Sequence, residues 1–361
     1  MKKKRILHIV PNMQVGGLET FIMNMMRNID KDKINFDFLV HYEKECFYDK
    51  EIKKLGGKIY RFSLREDNNI IKYIKELNKF FKEHKEYEII HCHMESIAFL
   101  VFLIAKHNGV KVRILHSHNI NTEPTLKGRI KFILSRFAPL LSTDNFACSA
   151  EAGKFLFGKR KYKVVENAID LDRFKYSETK RNRIRKELKI NDDTILIGHI
   201  GRFCKQKNQI KLIDTFIKYH EKNNNSKLVL VGAGEDKETI IKMCEDNNIV
   251  NDVIFLSNRS DTDQLYCGFD MFVFPSLFEG LGIVLIEAQL SGLMCYTSKD
   301  RVPLEACISN NLKYIDLNED WDTYLITNNK YDRRKVVFND NKDNYDIKKL
   351  VNKMEKFYLS K

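Results

Sequence analysis

The chain has 361 residues, 43% hydrophobic and 31% charged, a balance that excludes a disordered polypeptide and leaves length for about two buried cores. Its eight cysteines are scattered with no C-x-x-C pair, which excludes a disulfide framework or a cysteine zinc site and indicates a reducing compartment. A formal net charge of +13 favours polyanionic partners, but no helix-turn-helix, zinc finger or RNP-like string supports nucleic acid, which leaves a nucleotide or an anionic membrane.

The basic start from Lys2 to Arg5 imitates a signal peptide, yet the apolar run behind it stops at Pro11. The longest such run, 97–105, is far short of the ~20 residues that span a bilayer. A cytoplasmic protein is expected. Along the chain, strands are predicted at 6–10, 36–41, 58–62, 88–92 and 112–116, and helices at 18–29, 70–82 and 96–106. Such alternation implies a parallel sheet covered by helices on both faces.

A helix over 126–141 would carry Leu126, Ile130, Ile133, Leu134, Phe137, Leu140 and Leu141 on one face, with Lys127, Arg129, Lys131 and Arg136 largely elsewhere. A core helix with a solvated basic face is expected, and a helix lying on an anionic membrane is the alternative. The charged stretch 170–193 marks a boundary, after which strands follow at 195–200, 227–231, 253–256 and 271–274. Helical spacing returns at Ile347, Leu350, Val351, Met354 and Phe357. The fold class is α/β, with one Rossmann-like domain over 1–175, a second over 176–340 and a terminal helix in 341–361.

Several residues carry chemistry. After the strand at 271–274 comes a turn holding Glu279, Gly280, Leu281 and Gly282, and then an apolar helix whose single carboxylate is Glu287. A buried carboxylate is costly unless donors meet it, and the vicinal diol of a ribose supplies two. Gly280 and Gly282 let backbone N–H groups approach a phosphate at the helix start, and Glu279 can accept hydroxyls from what that phosphate carries. Ribose, phosphate and sugar make up a nucleotide sugar. Gly16 and Gly17 form a second such turn, although no G-x-G-x-x-G is present and a plain tight turn also accounts for them.

His91 and His93, like His116 and His118, stand two apart at predicted strand ends, so each pair shares a face; no further ligand pattern marks them as a metal site. Gly201, Arg202, Lys207 and Asn208 follow the first strand of the second domain, where Arg grips two phosphate oxygens and Lys supplies a point charge. Gly232 and Gly234 form a turn after the next strand. Of the two D-x-D strings, Asp170 and Asp172 lie in a structural stretch, whereas Asp261 and Asp263 look like a helix start.

Glu279 and Glu287, seven residues apart within P-S-x-x-E-G-x-G-x-x-x-x-E-A, resemble the signature of retaining glycosyltransferases of family 4, which have the two-domain GT-B fold. The chain departs from that pattern at Met294, where the family has proline, and at Asn208, where it has glycine. The resemblance implies two Rossmann-like domains facing across a cleft, the first for the acceptor and the second for the nucleotide. It also implies that the glycine turn at Gly16 and Gly17 faces the donor, that His118 contacts the donor sugar and that Gly232 lies near the nucleotide.

Arg202 and Lys207 would stabilise the leaving diphosphate. The terminal helix would return to the first domain. The implied function is transfer of a sugar from a nucleotide diphosphate sugar, a UDP-sugar, to an acceptor hydroxyl with retention. Relatives of this kind build capsule, exopolysaccharide and other surface glycans on lipid-linked or glycan acceptors at the inner face of the cytoplasmic membrane. Neither a cofactor nor a metal is expected. The alternatives are a GT-B sugar-nucleotide epimerase and a non-catalytic nucleotide-binding subunit.

Overall fold

The computed structural model describes residues 3–62, 69–118, 125–327 and 332–361. The chain forms two compact units, Met1–Ile169 with Tyr345–Lys361, and Asp170–Asn344. The change of unit comes a few residues before the expected boundary at 175. Its reason is backbone pairing: Ile169 N–H donates to Tyr345 O at 2.9 Å and Ile347 N–H to Ile169 O at 3.0 Å, which ties residue 169 to the returning segment.

The first unit runs β1 (Lys4–Val10), α1 (Gly17–Asn28), β2 (Ile34–Val40), α2 (Asp49–Lys54), β3 (Ile59–Arg61), α3 (Ile70–Glu83), β4 (Ile89–Cys92), α4 (Glu95–His107), β5 (Val112–Ser117), α5 (Leu126–Ser135), β6 (Asp144–Ala147), α6 (Ala150–Phe157) and β7 (Lys163–Val164). All seven strands are parallel, in the order β3-β2-β1-β4-β5-β6-β7. Strand alternation sorts the core. Ile6, Val10, Ile89, Val112 and Ile114 pack on one face with Phe21 and Met25 of α1, while Leu7, Ile9, Ile90, Cys92 and Leu115 pack on the other with Leu77, Val101 and Phe102. The helix expected over 126–141 ends at Ser135. Pro139 cannot continue it, and a short 3-10 turn, Ala138–Leu140, follows.

The second unit runs α7 (Glu178–Glu187), β8 (Ile195–Ile200), α8 (Gln209–Lys222), β9 (Ser226–Val231), α9 (Lys237–Asp246), β10 (Val253–Leu256), α10 (Thr262–Gly268), β11 (Met271–Phe274), α11 (Ile283–Leu290), β12 (Met294–Ser298), β13 (Leu312–Ile315) and α12 (Trp321–Thr327). Its six strands are also parallel, in the order β10-β9-β8-β11-β12-β13. The last two extend the four expected from sequence.

The chain then rejoins the first unit through α13 (Ile347–Leu359), which packs on α1. Ile347, Leu350, Val351, Met354 and Tyr358 form its buried stripe. In each sheet the strand order reverses beside the first strand, between β1 and β4 and between β8 and β11. The carboxyl ends of strands at such a reversal leave a crevice in which ligands of open α/β sheets bind.

Candidate active site

At the reversal in the second unit, the loops leaving β8 and β11 lie side by side because the two strands pair directly. Lys207, in a 3-10 turn after β8, reaches Glu279, in the loop after β11, at 2.6 Å; both are buried. The Lys207 ammonium also stands 4.9 Å from the centre of the Phe274 ring. The loops are laced together by Leu277 N–H to Gln206 O at 2.8 Å, Gln206 Nε2 to Phe278 O at 2.9 Å and Asn208 Nδ2 to Pro275 O at 3.1 Å. Asn208 replaces the family glycine because its backbone is left-handed, φ +54°, a conformation that asparagine tolerates better than most residues.

Glu287 lies on α11, 6% exposed, and accepts from the Tyr266 hydroxyl of α10 at 2.9 Å. Burial pushes its carboxyl up to about 7, opposed by the Tyr266 hydrogen bond and by Arg173. Tyr266 escaped the sequence reading, since nothing local marks a tyrosine that turns towards a helix two elements away. Gly282, at φ +78°, makes the left-handed turn that starts α11. A Cβ at Gly280 would meet nothing within 4 Å, so the protein's own packing does not demand glycine there. Leu281, between them, is half-buried.

Arg202 differs from Lys207: it is exposed and pairs with Glu235 at 2.9 Å. Gly232 and Gly234 have a packing explanation, because a Cβ at either would stand 2.1 Å from a backbone oxygen, that of Gly201 or Phe203. They hold the Arg202 loop against the loop after β9.

The D-x-D strings are engaged elsewhere. Asp263 takes Arg173 at 3.0 Å and Lys180 at 2.8 Å, Asp172 takes Lys175 at 2.7 Å, and Asp170 accepts the backbone N–H groups of Asp172 and Arg173. Asp261 stands at the start of α10 without capping it and binds Arg259 at 2.6 Å instead.

In the first unit, Gly16 and Gly17 open α1 at the carboxyl side of β1. A Cβ at Gly17 would meet nothing within 4 Å, whereas one at Gly16 would stand 2.3 Å from Oε2 of Glu19, a flexible side-chain end that could move. Burial pushes the Glu19 carboxyl up to about 7, opposed by its own backbone N–H. Glu19 was missed. Its signal is an acid in the first helical turn after two glycines.

His118 follows β5 and belongs to a larger group than the two pairs suggested. His8 of β1, in register with His91, joins them. One row runs His8 Nδ1 to His93 Nε2 at 3.0 Å and His93 Nδ1 to His118 Nε2 at 2.9 Å; another runs Tyr358 Oη to His91 Nδ1 at 2.8 Å and His91 Nε2 to His116 Nδ1 at 3.1 Å. The rows stack, His91 over His93 with ring centres 4.3 Å apart and His116 over His118 at 4.2 Å.

Nitrogens of His8, His91 and His93, and of His93, His116 and His118, lie within 4.8 Å of one another. Each trio nevertheless contains a stacked pair, inclined at only 22° or 32°. An ion lies in the plane of every ring that ligates it, and planes this nearly parallel do not meet at bonding distance. Without ring rotation neither trio fits a metal.

Comparison with known proteins agrees with this architecture. Residues 180–332 match the family model for Glycosyl transferases group 1 and residues 15–173 that for Glycosyltransferase Family 4. The chain is 34% identical over 304 residues to EpsF of Bacillus subtilis (strain 168), covering 82% of this chain and 79% of that protein. It is 28% identical over 245 residues to an Escherichia coli UDP-Gal:alpha-D-GlcNAc-diphosphoundecaprenol alpha-1,3-galactosyltransferase, covering 64% and 63% of the two chains. Among solved structures, HepE from Anabaena in complex with UDP and glucose superposes with a TM-score of 0.81 at 17% identity, covering 99% of this chain and 100% of that one. With its two parallel Rossmann-like sheets and its E-x7-E loop, the chain belongs to glycosyltransferase family 4 and has the GT-B fold.

Proposed function

We propose that this protein transfers a sugar from a UDP-sugar to an acceptor hydroxyl with retention of anomeric configuration, in the synthesis of a bacterial surface glycan. The observation that carries the reading is the buried Lys207–Glu279 pair beside the open Gly280 and the buried Glu287, all at the strand-order reversal of the second unit. Glu287 takes the ribose hydroxyls, the start of α11 takes the diphosphate, and Glu279 takes hydroxyls of the sugar. Arg202 and Lys207 offset the charge that develops on the leaving group.

The bond from the anomeric carbon to the phosphate oxygen breaks and its electrons stay on the diphosphate. The acceptor oxygen bonds to the same face, and its proton passes to the departing phosphate. No metal is required, since the cations are supplied by the chain and the D-x-D carboxylates are already paired or turn-bound. The first unit, with Gly16, Gly17 and His118, serves the acceptor side. A lipid-linked acceptor is supported by the diphosphoundecaprenol substrate in the name of the E. coli relative.

Incubating the protein with a panel of nucleotide sugars, with and without bacterial lipid extract, tests the reading through nucleotide release and product mass. Acceptor-dependent release with an added sugar mass is expected. A changed nucleotide sugar without acceptor would identify an epimerase, and binding without turnover a partner subunit.

Membrane contact is the second part of the proposal. The expected core role of the α5 face is overturned: Ile130, Ile133, Leu134, Phe137 and Leu140 are exposed, Ile133 to 58% and Leu140 to 61%. Leu103 of α4, which packs on α5, is exposed too. Arg129 and Lys131 stand exposed on the same helix, while the side chains of Leu126 and Lys127 lie outside those described.

Apolar residues flanked by cations suit an anionic bilayer surface. Among the described residues no helix is long and apolar enough to cross a membrane, so contact would be peripheral, at the cytoplasmic membrane's inner face. Replacing Arg129 and Lys131 with Gln is expected to weaken sedimentation with anionic vesicles by about 1 kcal/mol per charge, ~30-fold together, with nucleotide binding intact. Equal sedimentation of the two proteins would remove the membrane assignment.

A further inference from the structure

We propose that the row His8, His93, His118 fixes His118 as its Nδ1–H tautomer, so that this residue offers a hydrogen-bond donor to a ligand oxygen and does not act as a base. His93 is the positioning residue. That the ligand is a sugar nucleotide or its acceptor rests on the function proposed above; the tautomer does not.

A neutral imidazole has one N–H and one lone pair. Burial pushes the imidazoles of His8 and His118 down to about 3, and those of His91, His93 and His116 are also lowered by burial first and neighbouring histidines second, so the rings are neutral near pH 7. With His8 Nδ1 against His93 Nε2 and His93 Nδ1 against His118 Nε2, three neutral rings can fill both bonds in only two ways. Either all three protons sit on Nδ1 or all three sit on Nε2.

The far end of the row decides between them. His8 is fully buried against Phe36, and its Nε2 has no partner. Protons on Nε2 would strand an N–H there, whereas protons on Nδ1 leave only a bare lone pair, and orphaned buried donors are the rarer of the two. The second row gives the same answer independently. His116 Nε2 is likewise buried and unpaired, so His116 donates from Nδ1 to His91, which donates from Nδ1 to Tyr358. Both rows therefore carry their protons on Nδ1.

His118 is the half-buried end of its row, beyond the carboxyl end of β5, and its Nδ1 makes no hydrogen bond among the described residues. Its backbone N–H donates to Glu95 Oε1 at 3.1 Å, and the Ser117 hydroxyl donates to the same oxygen at 2.9 Å. The ring is thus held by its backbone on one side and by His93 on the other. What it can offer a ligand is the Nδ1–H, which suits a hydroxyl, carbonyl or phosphate oxygen.

Imidazole nitrogen NMR on the unliganded, histidine-labelled protein tests the assignment directly. A protonated Nδ1 and an unprotonated Nε2 are expected for His118. In His93→Phe the donor is gone, and His118 should relax towards Nε2–H, the form preferred by free imidazole side chains. In His93→Asn the amide N–H takes the place of Nδ1–H, and the wild-type signature should return. Sugar transfer should fall at least tenfold in His93→Phe and recover for the most part in His93→Asn.

An Nε2–H signature on His118 in the wild type would overturn the proposal, as would identical signatures in the two variants. Stoichiometric Zn²⁺ uptake that displaces the ring protons would replace it with a metal site. Absence of any turnover by the wild type would instead defeat the transferase reading and leave the tautomer standing.

Discussion

Lys207→Ala and Arg202→Ala are each expected to raise the barrier to sugar transfer by about 2 to 4 kcal/mol, a loss of ~30- to 1000-fold in turnover, because each removes a cation from the departing diphosphate. Their stability signatures should differ. The Arg202–Glu235 pair is exposed, and such pairs contribute roughly 0 to 1 kcal/mol, so Arg202→Ala should melt close to wild type. Lys207 and Glu279 are a buried pair, and removing one partner strands a charge at a cost of about 3 to 5 kcal/mol.

Lys207→Met combined with Glu279→Gln should therefore regain stability without regaining turnover. Activity in excess EDTA should match that in buffer for the wild type. Near-normal turnover in both single variants, or chelation loss reversed by Mg²⁺ or Mn²⁺, would show that the diphosphate is neutralised by other groups.

Glu287→Ala should weaken binding of the free nucleotide and of the nucleotide sugar alike, by about 1.5 to 3 kcal/mol or ~10- to 100-fold, since hydrogen bonds to a charged group are lost. Ribose hydroxyls donate to the ionised carboxylate. With its pKa raised to about 7, Glu287 must release a proton to accept them, so wild-type affinity should rise as pH increases through about 7.

Stability moves the other way. A carboxyl raised from 4.5 to about 7 stabilises the fold fully below pH 4.5, and that contribution is lost as pH rises through about 7. Glu19 is raised to the same value, so the Glu287 share is read from the difference between wild type and Glu287→Gln. Calorimetry showing pH-independent nucleotide affinity in the wild type, or equal affinity in Glu287→Ala, would remove the ribose assignment.

The sequence by itself determined the class of fold, the family and the loop that carries the candidate chemistry. Alternating apolar strands and amphipathic helices are local periodicities, and a parallel sheet is the way to bury them. Likewise, Glu279, Gly280, Gly282 and Glu287 lie within one loop and helix, so their grouping needs no knowledge of distant contacts.

Only the tertiary structure decided what joins across the chain. Lys207 meets Glu279 across 72 residues because β8 pairs with β11, and His8 meets His93 across 85 because β1 pairs with β4. Helical spacing could show that the α5 residues share a face but not which way that face points. Packing turned it outward, since exposure depends on the neighbours a helix finds and not on its own period.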